Sequence, residues 1–125
     1  MRLGFAKLLS VRIYKTANMV RAVTELDEFK KILAEAGDKL VVVDFTATWC
    51  GPCKQIAPLY QAMSEKPENS NVIFLKVDVD DADEISTACE IKCMPTFHFY
   101  KGGEKVDDFS GANVATLEEK LIKLR

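Results

Sequence analysis

The stretch Leu40-Val41-Val42-Val43-Asp44-Phe45-Thr46-Ala47-Thr48-Trp49-Cys50-Gly51-Pro52-Cys53-Lys54 decides the fold. Its first part, Leu40 to Ala47, is a near-continuous apolar run rich in Val, the composition of a strand buried on both faces and therefore central in a sheet. Asp44 is its one charged residue. From Gly51 to Lys66 the pattern reads as a helix. Pro52 suits its first turn, where the missing N–H costs nothing, and Pro58 is expected to kink it. A buried strand that runs directly into a helix opened by two cysteines belongs to an α/β domain.

Outward from that junction the chain continues the alternation. On the N-terminal side, Val20 to Val23 reads as a short edge strand. Thr24-x-x-Asp27 follows as a capping-box variant, and Leu26, Phe29, Ile32, Leu33 and Ala36 then recur at helical spacing until Gly37 ends the helix. On the C-terminal side, Val72 to Val79 is a second buried strand and about Asp83 to Ile91 a third helix. Thr96 to Lys101 and Lys105 to Phe109 are strands joined by Gly102-Gly103. Asn113 caps a last helix with an apolar stripe of Val114, Leu117, Leu121 and Leu124. The order β-α-β-α-β-α-β-β-α predicts a central mixed sheet of five strands flanked by four helices on both faces.

At 125 residues, 48% of them apolar and 29% charged, the chain has the size and balance of one globular domain with its own core. A net charge of -2 gives no reason to expect nucleic acid or an anionic membrane as partner. No stretch approaches the apolar length that a membrane span needs. Residues 1–18 stand apart: Arg2, Lys7, Arg12 and Lys15 are unopposed by any acid. This basic extension is expected to be disordered or absent from the natural protein, with Met19 available as a start and residues 19–125 forming the domain. Its composition leaves a mitochondrial transit peptide as the alternative, although its charges fall all round a helical wheel and it has a single Ser.

Four cysteines in a chain with a core of its own point to reduced thiols in a reducing compartment rather than to a disulfide framework. Disulfide exchange needs one thiolate that attacks and a second thiol near enough to resolve the mixed disulfide, and the i, i+3 spacing of Cys50 and Cys53 at a helix start supplies both. Unpaired N–H groups and the positive end of the helix dipole lower the pKa of a cysteine placed as Cys50 is. Gly51 and Pro52 keep the turn tight and tune how easily the pair is reduced. The rival chemistry is a zinc site completed by Cys89 and Cys93. It is disfavoured because the second pair has three intervening residues, lies beyond a buried strand, and places Cys89 inside a helix. Asp44, ionised in an apolar strand, would be costly to bury, so its pKa is expected to rise toward neutrality. His98, the only histidine, is expected to be structural.

The run Asp44 to Lys54, together with Met94-Pro95-Thr96 and Phe109-Ser110-Gly111-Ala112, resembles the thioredoxin family. The likeness covers Val20 to Arg125, and Gly37 to Val43 and Cys89 to Phe97 bring it nearest to the animal cytosolic type. The resemblance implies a thioredoxin fold in which Cys50 is the exposed nucleophile and Cys53 the buried resolving thiol, with Trp49 as an apolar wall and contact surface. It implies that Asp44 accepts the Cys53 proton through water, with Lys76 facing it from the neighbouring strand as in bacterial members. Pro95 is implied to follow a cis peptide. The backbone at Met94 and Pro95 is implied to pair with a substrate segment as an added strand, lined on its other side by Gly111 and Ala112. Cys89 and Cys93 match thiols linked to regulatory oxidation and dimer formation. Cys93 is the one expected to regulate, and Ala82 stands where some members carry a further cysteine.

The expected protein is a cytoplasmic protein-disulfide reductase, monomeric until oxidation links it through Cys93, with no bound cofactor and no metal. By resemblance it draws electrons from NADPH through a thioredoxin reductase. It would pass them to clients such as peroxiredoxins, methionine sulfoxide reductases and ribonucleotide reductase. A redox-gated binding protein that docks partners through the Trp49 and Pro95 surface is the reading of a different class.

Overall fold

A computed structural model of the chain describes residues 19–125, so the reading of residues 1–18 lies outside the described residues. Five strands, β1 (Arg21–Ala22), β2 (Val41–Thr46), β3 (Ile73–Asp78), β4 (Thr96–Lys101) and β5 (Glu104–Ser110), form one sheet in the order β1-β3-β2-β4-β5. β1, β3 and β2 run parallel, whereas β4 and β5 are antiparallel to their neighbours, so the sheet is mixed as expected. β2 is central, and its residues Val41 to Phe45 are all buried.

Because successive strand residues face opposite sides, β2 feeds two cores. Val42 joins Phe74, Phe97 and Phe99 beneath α2 (Gly51–Ser64) and α4 (Val114–Leu124), which contribute Ile56, Tyr60, Met63, Leu117 and Leu121. Val41, Val43 and Phe45 join Leu75 and Val77 beneath α1 (Leu26–Ala36) and α3 (Asp83–Ala88), which contribute Phe29 and Ile85. Period two therefore puts Asp44 on the α2 side of the sheet. Inside that core the Tyr60 hydroxyl lies 3.0 Å from the Val42 carbonyl and 2.7 Å from that of Leu75, so a phenol is buried without stranding its proton.

Several elements depart from the local sequence pattern. β1 is two residues long, and α1 begins after Glu25 rather than on a Thr24 cap: the Val23 amide is drawn to the Lys76 carbonyl at 3.0 Å, and no side chain caps the helix. A 3-10 turn at Pro67–Asn69 was not anticipated. α3 stops at Ala88, short of Ile91. There the Glu90 amide reaches the Thr87 carbonyl and the Ile91 amide that of Ser86, both at 3.0 Å, while Glu90 takes a φ of 57°. This is the Schellman helix stop with a glutamate where glycine is usual. α2 stays helical through Pro58 but ends at Ser64, short of Lys66, where the Glu65 and Lys66 amides turn back to the Ala62 and Met63 carbonyls. The Gly102-Gly103 turn, with both φ positive, closes the β4–β5 hairpin as read.

The Asn113 side-chain oxygen accepts from the Thr116 amide at 3.0 Å, so that cap is made. Asn113→Ala should lower the urea-unfolding free energy by about 1 kcal/mol. Thr24→Ala should change it by less than about 0.5 kcal/mol, since Thr24 caps nothing. Equal losses in both variants would contradict these assignments.

Candidate active site

The loop after β2 carries Trp49 and delivers the chain to Cys50, whose amide donates to the Ala47 carbonyl at 3.2 Å. Cys50 is the N-cap of α2: its φ of -92° and ψ of 113° are extended, and its carbonyl accepts from the Lys54 amide at 3.2 Å. Where Ser or Asp would cap with oxygen, Cys50 caps with sulfur, its Sγ accepting from the Cys53 amide at 3.2 Å. Cys53, three residues on, lies one turn into the same helix, and the two are joined as a disulfide with their Cα atoms 5.3 Å apart. In the reduced protein the same amide and the helix N-terminus would stabilise negative charge on Cys50.

Cys50 is 7% exposed and Cys53 1%. Cys50 is thus the more accessible of the two yet less open than an exposed nucleophile was expected to be. Ala47, Val79 and Met94 pack around the pair, and the Met94 carbonyl oxygen lies 3.7 Å from Cys50 Sγ. The Met94–Pro95 peptide is cis, and the Pro95 carbonyl accepts from the Gly111 amide at 2.9 Å. Met94, Pro95 and Gly111 therefore meet beside the sulfurs, with Ala112 exposed next in the chain. The Gly111 φ of 105° is a conformation that favours glycine. Trp49 is 67% exposed and is steadied by its indole N–H, which donates to Asp80 Oδ2 at 2.9 Å. Asp80 was not singled out from the sequence, where it sits in a run of acids that gives no sign which one reaches the indole.

Asp44 is 1% exposed, and its Oδ1 finds no hydrogen-bond partner among the described residues. Burial pushes its pKa up from the usual 3.8 to about 7, partly offset by Lys76, which faces Asp44 in register on β3. The carboxyl forms part of the lining of an open pocket of about 340 Å3 shared with Ala22, Ala57, Tyr60, Gln61 and Lys76.

The second pair of thiols lies elsewhere. Cys89 follows α3, half-buried, its pKa raised by that burial and its Sγ 3.7 Å from the Tyr100 hydroxyl. Cys93 is exposed, and the hydroxyls of Ser110 and Thr96 lower its pKa. His98 is buried edge-on to Phe45, its ring centroid 4.9 Å away, with Nδ1 3.3 Å from the Tyr100 hydroxyl. Burial and Lys105 push its pKa down to about 4, which keeps it neutral and structural. Among the described residues no group of three or more His, Cys, Asp or Glu stands where it could hold a metal ion. No helix among them is long and apolar enough to cross a membrane.

A family model described as thioredoxin matches residues 20–123. The chain belongs to the thioredoxin family. It is 59% identical to the thioredoxin of Ictalurus punctatus over 103 residues, 82% of this chain and 96% of that one. It is 56% identical to the thioredoxin of Homo sapiens over 106 residues, 85% and 99% of the two chains. The X-ray structure of Fasciola hepatica thioredoxin superposes with a TM-score of 0.81 at 41% identity, covering 84% of this chain and 99% of that one. Spinach chloroplast thioredoxin f, in its long form, gives 0.82 at 34% identity, covering 93% and 94%. The fold is the thioredoxin fold, and Cys50 and Cys53 occupy the redox-active position of a protein-disulfide oxidoreductase working by dithiol-disulfide exchange. Thioredoxins carry no bound cofactor; they act on disulfide substrates and are served by a reductase.

A carboxyl whose pKa is raised from 3.8 to about 7 by folding is neutral in both states at low pH and is charged against its environment at high pH. Its effect on stability is therefore absent below pH 4, grows as pH rises through the window from about 4 to 7, and stays constant above it. In the oxidised protein, Asp44→Asn should be more stable than wild type at pH 8 by roughly 2–4 kcal/mol and nearly equal at pH 3.5. Denaturant melts at the two pH values check this, and a pH-independent difference would contradict the buried-carboxyl assignment.

Proposed function

We propose that this thioredoxin works in the reducing direction, with Cys50 as the nucleophile and Cys53 as the resolving thiol. The observation that carries the assignment is Cys50 at the N-cap of α2, accepting a hydrogen bond from the Cys53 amide at 3.2 Å. Only one of the two sulfurs is placed to be held as a thiolate by the helix start. Cys50 attacks a client disulfide and forms a mixed disulfide. Cys53, buried one turn into the helix, then loses its proton to Asp44, attacks Cys50 Sγ and releases the reduced client. A base with a pKa of about 7 is suited to that transfer near neutral pH. Lys76, in register with Asp44, favours its ionised form. Gly51 and Pro52 set the geometry of the turn and with it the reduction potential.

Clients dock on Trp49, on the Met94 and Pro95 backbone, and on Gly111 and Ala112. Backbone pairing reads few side chains, which suits a reductase of many proteins. The electron source is an NADPH-dependent thioredoxin reductase, and the clients include peroxiredoxins, methionine sulfoxide reductases and ribonucleotide reductase. The site of action is the cytoplasm, where the glutathione poise favours reduction. Residues 19–125 form the working domain, and residues 1–18 are an extension outside it. The protein works as a monomer. Cys93, exposed and with a lowered pKa, is the thiol through which an oxidant would link two copies, while burial makes Cys89 the less reactive of the pair.

NADPH-coupled reduction of insulin disulfides by a thioredoxin reductase tests the assignment. Cys50→Ser should abolish turnover, and Cys53→Ser should stop it while trapping client as a mixed disulfide on Cys50. Turnover that survives Cys50→Ser would overturn the assignment. Absence of turnover in the wild type, with reduced Cys53→Ser still holding partners non-covalently, would favour the redox-gated binding protein.

A further inference from the structure

Resolution of the mixed disulfide takes place while a client covers the site. The proton that leaves Cys53 must nevertheless reach solvent. Asp44, the base proposed for it, is 1% exposed and its Oδ1 has no hydrogen-bond partner among the described residues. Through the substrate face its only way out would pass the sulfurs and the docked client.

The molecule has a second way to this carboxyl. The pocket of about 340 Å3 that reaches Asp44 opens between β1, α2 and β3, with Ala22, Ala57, Tyr60, Gln61 and Lys76 among its walls. None of these residues belongs to the docking set of Trp49, Met94, Pro95, Gly111 and Ala112. In the sheet order β1 and β3 lie on one side of β2, and β4, entered from Pro95, lies on the other. Ala57 is one turn beyond Cys53 on α2, so the pocket stands behind the resolving thiol. Several waters fit in this volume, since each takes roughly 30 Å3. Tyr60 directs its hydroxyl at two backbone carbonyls and offers the carboxyl no proton, which leaves the pocket as the route. Two exposed alanines at its rim, Ala22 and Ala57, keep it open.

We propose that this pocket is a lateral proton port through which Asp44 exchanges protons with solvent while a client is bound over Cys50, and that Ala57 holds the port open. The proposal rests on the reading of Asp44 as the base for Cys53. The Cys53 thiol gives its proton to the Asp44 carboxylate, and the Cys53 thiolate attacks Cys50 Sγ. The Cys50–Cys53 bond forms, and the bond from Cys50 to the client sulfur breaks with its electron pair going to the client, which leaves as a thiolate. Asp44 must be ionised to take that proton, so where it is neutral it first gives its own proton to water in the port while the client is bound, and after resolution it hands the Cys53 proton out by the same way. Lys76 from β3 and Tyr60 from α2 are the titratable groups facing the carboxyl, and opposite Asp44 β4 presents Phe97. Ala57 is a positioning residue that acts through the water it admits.

The test is single-turnover kinetics on the full chain, following attack of reduced protein on a peptide disulfide and then release of the peptide thiol, across pH 5.5–9. Ala57→Leu places a helix-compatible side chain at the rim of the port, and Ala62→Leu makes the same change on an exposed position of α2 outside it. With Ala57→Leu the attack step should match wild type. Thiol release should slow about fivefold with the midpoint of its pH profile moved upward, a small part of what proton transfer to a placed base contributes. Ala62→Leu should match wild type in both steps. Release by Ala57→Leu at the wild-type rate and midpoint, while Asp44→Asn releases slowly, would overturn the port and leave the base standing. Wild-type release by Asp44→Asn would overturn the base and the port together.

Discussion

The hydrogen bond from the Cys53 amide to the Cys50 sulfur is the contact on which the rest of the site depends. It fixes three things at once: where α2 begins, which cysteine lies outside the helix, and which sulfur receives the field of the helix terminus. A serine in the same place would cap as well and carry no redox chemistry. The strand before it supplies the rigidity. β2 is buried from Val41 to Phe45 and held by neighbours on both sides, so the short loop to Cys50 leaves a well-fixed end. A catalytic group placed on such a junction is located by core packing, and the loop around it needs little structure of its own.

That same burial creates the second feature of the site. An apolar residue at position 44 would suit the strand better, and the unpartnered oxygen there is a cost that packing elsewhere must offset. The cost has a chemical return: a carboxyl titrating near pH 7 is as ready to take a proton as to give one up, and an exposed Asp could not do this. The twin cores above and below β2 make the cost bearable, because either one alone would leave the strand exposed on one face.

How far the sequence could be read follows the range of the interactions. The apolar run, the Cys-Gly-Pro-Cys turn, the Asn113 cap and the Gly102-Gly103 hairpin are local, and each was legible. The missed features are set by distant partners or carry no composition signal. Thr24 looked like a cap, but the pull of the Val23 amide to Lys76, far along the chain, sets where α1 starts. Nothing about Glu90 announces a left-handed residue, since the helix stop it makes is usually written with glycine. Asp80 holds Trp49 across 31 positions, and Tyr60 bridges carbonyls of two strands, contacts that no periodicity encodes. The rise in the Asp44 pKa was foreseeable because burial, legible in the apolar run, is its largest cause. The covering of Cys50 was not, because it depends on where the Met94 loop comes to rest.

Under the proposed function, the site would separate recognition from chemistry in a way that bears on breadth of substrates. The groups beside the sulfurs are largely backbone, the Met94 carbonyl, the Pro95 turn and the Gly111 bend, with Trp49 as the one large exposed side chain. Asp44 and Lys76 line a pocket with Ala22, Ala57, Tyr60 and Gln61, and none of the groups beside the sulfurs is among its walls. Under the proposed roles, clients of different sequence would dock without disturbing the base, whose pKa would be set by the fold rather than by the partner. An enzyme that drew its base from the docking surface would have its resolving step retuned by each new client. Here the helix that carries both cysteines also supplies Ala57, Tyr60 and Gln61 to the pocket at Asp44, so one structural element takes part in both.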